Sequence, residues 1–167
     1  MPQVPILAQP RALQLDQVVD GIKCELAEKV VFHIHAHLAI FVDGAARGIP
    51  EGVGIAPPRQ EVSTSAGQYV TGGMCFYWLH THTADGILHI ESPAVQTFTL
   101  GQFFDIWGQT LSDSQVGPAS GTVTAYVNGK EYQGLPTAIP LTDHAVIQLD
   151  VGTKVSPKAY TFAPGYA

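Results

Sequence analysis

With 46% apolar and only 13% charged positions among 167 residues, the chain can bury a real core and presents a surface unusually poor in charge. Eight Lys and Arg against fourteen Asp and Glu give a net charge of −6 with no basic cluster. That argues against a nucleic-acid partner, because neutralising phosphates dominates such binding. No apolar run approaches the roughly 20 residues that span a bilayer, so no transmembrane segment is expected, and Met1-Pro2-Gln3 lacks the basic start and apolar stretch of a signal peptide.

Pro2, Pro5 and Pro10 predict an extended, loosely anchored N-terminal arm over 1–12, ahead of a single compact β-rich domain over 13–167. Val18, Val19, Ile22 and Leu26 fall near helical spacing and predict a short helix over 13–28, which Gly21 weakens. Residues 30–42 are β-branched and aromatic with period-two alternation and end at Asp43-Gly44, a hairpin-turn dipeptide, so they read as the clearest strand. The Gly, Pro, Ser and Thr of 45–73 predict loops joining short strands near 53–55 and 61–63.

Two further strands are predicted over 75–83 and 87–92, around Ala84-Asp85-Gly86, with a third over 95–99. Thr99-Leu100-Gly101-Gln102 has the form of a capping box. Phe103, Ile106 and Trp107 then share a helical face, so a helix is predicted to Gly108, with these aromatics in the core. Asn128-Gly129 suits a type I′ turn between strands over 122–127 and 131–133, and 145–151 supplies a final strand. The predicted class is α+β, mostly β: a mixed or antiparallel sheet crossed by one helix, β-grasp-like in the second half over 87–151.

Six of the seven histidines lie at 33–37 and 80–89. Successive strand residues face opposite sides, so His33, His35 and His37 share one face and Ile34, Ala36 and Leu38 the other. Neighbours at i and i+2 stand roughly 6.6–7 Å apart along a strand, a separation two tilted imidazoles can bridge through one ion. If the second segment turns through Asp85-Gly86 alone, His82 opposes His89 and His80 opposes Glu91, and the four form one patch. A three-residue loop, Ala84-Asp85-Gly86, would instead send His89 and Glu91 to the other face. The candidate metal ligands are therefore His33, His35, His37, His80, His82, His89 and Glu91.

Neutral imidazole suits copper, zinc, iron and nickel, whereas calcium and magnesium want oxygen-rich sites; copper and zinc rank first here, then iron. The leading reading is a transition-metal-binding protein. Its competitors are a hydrolytic or redox metalloenzyme with an open metal position, a binding module whose histidines are structural, and a pH-sensitive imidazole surface. The His-x-His pairs meet neither cupin nor metallo-β-lactamase spacing, and no serine nucleophile elbow, P-loop or dinucleotide fingerprint is present. His144 stands apart and reads as an ordinary half-buried histidine. Cys24 and Cys75 make either one disulfide, the preferred reading, or two buried thiols.

At Asp20-Gly21-Ile22-x-Cys24, His33-Ile34-His35-Ala36-His37-Leu38, Leu79-His80-Thr81-His82, Gly86-Ile87-Leu88-His89-Ile90-Glu91-Ser92-Pro93 and Leu100-Gly101-Gln102-Phe103-Phe104-Asp105-Ile106-Trp107-Gly108, the chain resembles a group of uncharacterised bacterial proteins. The resemblance covers about residues 20–150. It implies an exported or membrane-anchored setting, hence an extracytoplasmic location and support for a Cys24–Cys75 bridge, and it names no substrate. The group tends to carry Asp where this chain has Thr83; an Asp there would suit an orienter of an imidazole ligand.

Overall fold

Alternation along one strand organises the molecule: Ala36, Leu38 and Ile40 are buried on one side while the histidines between them take the other. A computed structural model describes residues 4–166. In chain order its elements are β1 (Cys24–Glu25), β2 (Phe32–Val42), β3 (Ala45–Arg47), β4 (Gln60–Thr64), β5 (Gly67–Gly72), β6 (Phe76–Tyr77), β7 (Leu79–His80), β8 (Ile87–Ser92), α1 (Leu100–Trp107), β9 (Gln115–Val116), β10 (Ala119–Ser120), β11 (Val123–Val127), β12 (Lys130–Glu131), a 3-10 turn at Pro136–Ala138, and β13 (Val146–Val151).

The main sheet has the order β12-β11-β13-β2-β8-β7, with β3 also on β2. β13 runs parallel to β2, and the other pairs are antiparallel. An antiparallel pair β2–β8, the helix α1, the hairpin β11–β12 and a last strand inserted parallel to the first make the β-grasp order. Its first strand is β2, so the grasp begins well before residue 87 and carries the excursion 43–86 between its first two strands. The segment 95–99 supplies no strand: Thr99 forms an isolated bridge to Pro140 and then caps the helix.

One face of this sheet is the core. Leu38 and Ile40 of β2, Leu88 and Ile90 of β8, and Ile147 and Leu149 of β13 share one buried apolar cluster with Phe103, Phe104, Ile106 and Trp107 of α1. The helix starts on a complete capping box, Thr99 accepting from the Gln102 N–H while the Gln102 side chain accepts from the Thr99 N–H. It stops at Gly108, whose φ of 82° lets its N–H reach the Phe104 and Asp105 carbonyls. Among the described residues no helix is long and apolar enough to cross a membrane.

Four local expectations are revised. Over 13–28 there is no helix: Asp20 and Gly21 take positive φ (51° and 77°), and Val19 and Ile22 exchange backbone hydrogen bonds across them, so the segment turns back on itself. The 75–83 strand is two short pieces, β6 and β7, and 53–55 is a turn followed by an isolated bridge from Ile55 to Phe76, whereas β4 and β5 form a separate hairpin. Residues 4–12 are tied down. Leu7 donates to the Gly48 carbonyl and packs into the core, Arg11 donates to the Trp107 carbonyl, and the Trp107 indole donates to that of Ala8. Cys24 and Cys75 form a disulfide, which closes a 51-residue separation beside the β1–β6 pair.

Candidate metal centre

On the face away from α1, sheet register sets histidines side by side. His35 of β2 lies opposite His89 of β8, which lies opposite His80 of β7; one step along, His33 lies opposite Glu91. The 80–89 hairpin therefore pairs His80 with His89 instead of with Glu91, because its connection, 81–86, is longer than two residues. The slip is by two positions, an even number, so every side chain keeps its face and the patch still assembles. A three-residue loop would have dispersed it.

Backbone contacts fix the histidines of the second segment. The 52–54 turn is stitched to the free side of β7: Gly52 donates to the Thr81 carbonyl, Thr81 to that of Val53, and Tyr77 to that of Gly54. Gly54, at φ 74°, lies so close that an added Cβ would sit 2.3 Å from the Leu79 carbonyl oxygen and 3.1 Å from Cβ of His80. His82, just beyond β7, exchanges with β5. Its carbonyl accepts from the Val70 N–H, and its Nδ1 stands 2.7 Å from the Val70 carbonyl.

That contact, and the 2.7 Å approach of His80 Nδ1 to the Tyr77 carbonyl, decide the tautomers. A carbonyl only accepts, so each Nδ1 carries a proton and donates it, which leaves Nε2 as the ring atom turned toward the patch. This is the arrangement in which an outer hydrogen bond orients a ligating imidazole. His80 Nε2 is buried without a hydrogen-bond partner, 3.6 Å from Glu91 Oε2, which is buried and unpartnered too. Two lone pairs facing each other in a buried place repel unless a cation or proton lies between them. The other carboxylate oxygen, Oε1, is 3.1 Å from His33 Nε2 and 3.7 Å from His89 Nδ1.

Two sets of ligand atoms result. His33, His35, His89 and Glu91 form one, and His80, His82, His89 and Glu91 the other, with each residue offering one atom and all atoms of a set within 4.8 Å of one another. His80, His82, His89, His35 and Glu91 are buried, while the His33 side chain is 42% exposed. Burial, reinforced by the neighbouring imidazoles, holds His80 well below the usual histidine range and pushes His89 down to about 2. Both rings are thus neutral and able to bind metal at ordinary pH.

The sequence reading missed Glu28, at the end of a segment mistaken for helix. Its Oε1 is 3.4 Å from His82 Nε2. Burial, then a hydrogen bond with Glu91 and that residue's charge, raise its carboxyl to about 7. Tyr69 stacks on His82 with ring centres 5.0 Å apart, and Tyr166 lies edge-on to His35 at 4.9 Å. Only the fold could reveal these three. His37 joins neither set: its Nε2 donates to the Asp85 carbonyl at 3.0 Å, and its ring stacks on Tyr160. His144 lies apart, its Nε2 donating to the Tyr166 carbonyl and its ring stacked on Phe162. No known protein family, curated protein or solved structure matches the chain.

Proposed function

We propose that this chain is a transition-metal-binding protein whose imidazoles and Glu91 on the outer sheet face hold copper or zinc, with iron as third choice. The carrying observation is the buried pair His80 Nε2 and Glu91 Oε2, which face each other at 3.6 Å with no partner. A cation between them relieves that repulsion, and neutral imidazoles with one carboxylate are the donor set of copper and zinc rather than of calcium or magnesium. An extracytoplasmic setting belongs to this reading: disulfides persist in oxidising compartments, and the motif resemblance points the same way.

Untagged protein, purified without a nickel column, stripped and re-exposed to Cu(II) or Zn(II), tests the proposal by elemental analysis after dialysis. Stoichiometric metal is expected in the native chain and its loss in a His89→Ala/Glu91→Gln double variant, since both residues belong to both sets. A native chain that dialyses metal-free, or a double variant that retains its metal, would overturn the proposal.

A second reading, a metalloenzyme with a Lewis-acid or redox ion, is favoured by the exposure of His33 alone among the five gathered imidazoles. An ion on that side can keep a coordination position open to solvent, as catalytic sites do and structural sites do not. Azide added to Co(II)-loaded protein distinguishes the two: altered d–d absorption marks an open position, and an unchanged spectrum a closed one.

A further inference from the structure

We infer that the outer sheet face holds two ions next to each other, with Glu91 bridging them. This deepens the metal-binding reading and rests on it. The first argument is a donor count. Five imidazoles, of His33, His35, His80, His82 and His89, converge with the carboxylates of Glu91 and Glu28. Zinc takes four ligands in most protein sites, so one such ion would leave nearly half of these groups idle.

The second argument is how the donors divide. They fall into two sets of four that overlap only at His89 and Glu91. The sets come from different parts of the sheet: His33 and His35 from β2, His80 and His82 from β7 and the loop after it, with β8 supplying the shared pair between them. The two oxygens of Glu91 part along the same line. Oε1 faces His33 at 3.1 Å and Oε2 faces His80 at 3.6 Å. A carboxylate with one oxygen toward each of two imidazole groups is placed as a bridging ligand, and paired metals in two-metal sites stand roughly 3.5–4 Å apart.

The third argument is charge. Neutral imidazoles supply electron pairs but no negative charge, so two cations need anions close by. Glu28 reaches the His82 side, where its Oε1 is 3.4 Å from His82 Nε2. The β7 side thus has a carboxylate of its own beside the shared one.

Titration of metal-free, untagged protein with Cu(II), followed by dialysis, elemental analysis and electron paramagnetic resonance, tests the inference. Two ions per chain are expected, with an integrated signal at saturation well below that of two independent Cu(II) ions, because a bridging carboxylate couples their spins. His33→Ala/His35→Ala should bind one ion with the full signal of an isolated Cu(II), and Glu91→Gln should lose the coupling. Saturation at one ion per chain, or two ions with a fully additive signal, overturns the inference while leaving metal binding intact. No bound ion at all overturns the metal-binding reading itself. The native-chain titration decides the matter even if a variant fails to fold, which circular dichroism would show.

Discussion

Two faces of one sheet, read from alternate residues of the same strands, have opposite chemistry. Toward α1, Leu38, Leu88 and Leu149 meet Phe103, Phe104 and Trp107, all buried in one apolar cluster. Away from it, His35, His89 and Glu91 are buried just as surely, yet there His80 Nε2, Glu91 Oε2 and His37 Nδ1 lack hydrogen-bond partners. The second face is roofed by chain instead of helix. Val155 donates to Asp150, Lys158 donates to Gln148, and Tyr160 and Tyr166 lie over His37 and His35. Folded proteins satisfy nearly all buried polar atoms, and among the described residues this face leaves three unmet. The helix face is packed as an apolar core, and the histidine face gathers donor groups at metal-binding distance.

The division is sharpest if each face can be damaged without the other. Phe104→Ala removes a fully buried ring from the helix side and is expected to cost about 3–5 kcal/mol in urea unfolding. Metal stoichiometry should persist in whatever fraction remains folded. Losing metal in step with stability would mean that the two faces are one cooperative unit. Reducing the Cys24–Cys75 bridge, which closes a 51-residue separation, should remove about 4 kcal/mol by freeing the unfolded chain. Unfolding curves with and without reductant measure it, and no difference would show that the loop gains its order from contacts alone.

Much of this contrast was legible in the sequence because strand periodicity is strict. Alternation in 30–42 assigned His33, His35 and His37 to one face, and the dipeptides Asp43-Gly44 and Asn128-Gly129 marked turns that form with positive φ at all four residues. The capping box likewise gave the helix start at Thr99. What failed was local inference with a tertiary answer. Helical spacing over 13–28 lost to the Asp20-Gly21 turn and the disulfide after it, and the 80–89 register was set by stitching to 52–54 and β5 instead of by the shortest loop. Glu28 carries no pattern of its own; only the fold brings it to His82.

Acid should separate the faces next, because the clustered imidazoles lie on only one of them. The folded His89 sits at about 2, against about 6.5 for an unfolded histidine. A depressed folded value means that unfolding takes up a proton below pH 6.5. The stability this ring contributes is therefore present above that pH and lost as pH falls beneath it, by as much as about 1.4 kcal/mol per unit. Glu28, raised to about 7, acts in the opposite sense, its contribution being lost as pH rises through 7. Subtracting the unfolding free energies of chelator-treated His89→Ala from those of the native chain between pH 6 and 4.5 isolates the histidine. A shallower pH slope is expected in the variant; parallel slopes would mean that His89 is protonated in the folded state.

His37 offers the finest cut, since it shares a strand face with His33 and His35 but does other work. Its Nε2 donates to the Asp85 carbonyl at 3.0 Å, its ring stacks on Tyr160 at 3.7 Å, and burial keeps it below the usual histidine range. A Cβ on Gly86 would come within 2.7 Å of that same Nε2, so the ring fits closely against the 84–86 turn. His37→Phe keeps the stack on Tyr160 and removes one hydrogen bond, which should cost about 1 kcal/mol and leave metal stoichiometry and affinity where they were. If the variant loses an ion, the third imidazole of β2 is a ligand, and the boundary between chemistry and support on this face lies one turn-contact further along the strand.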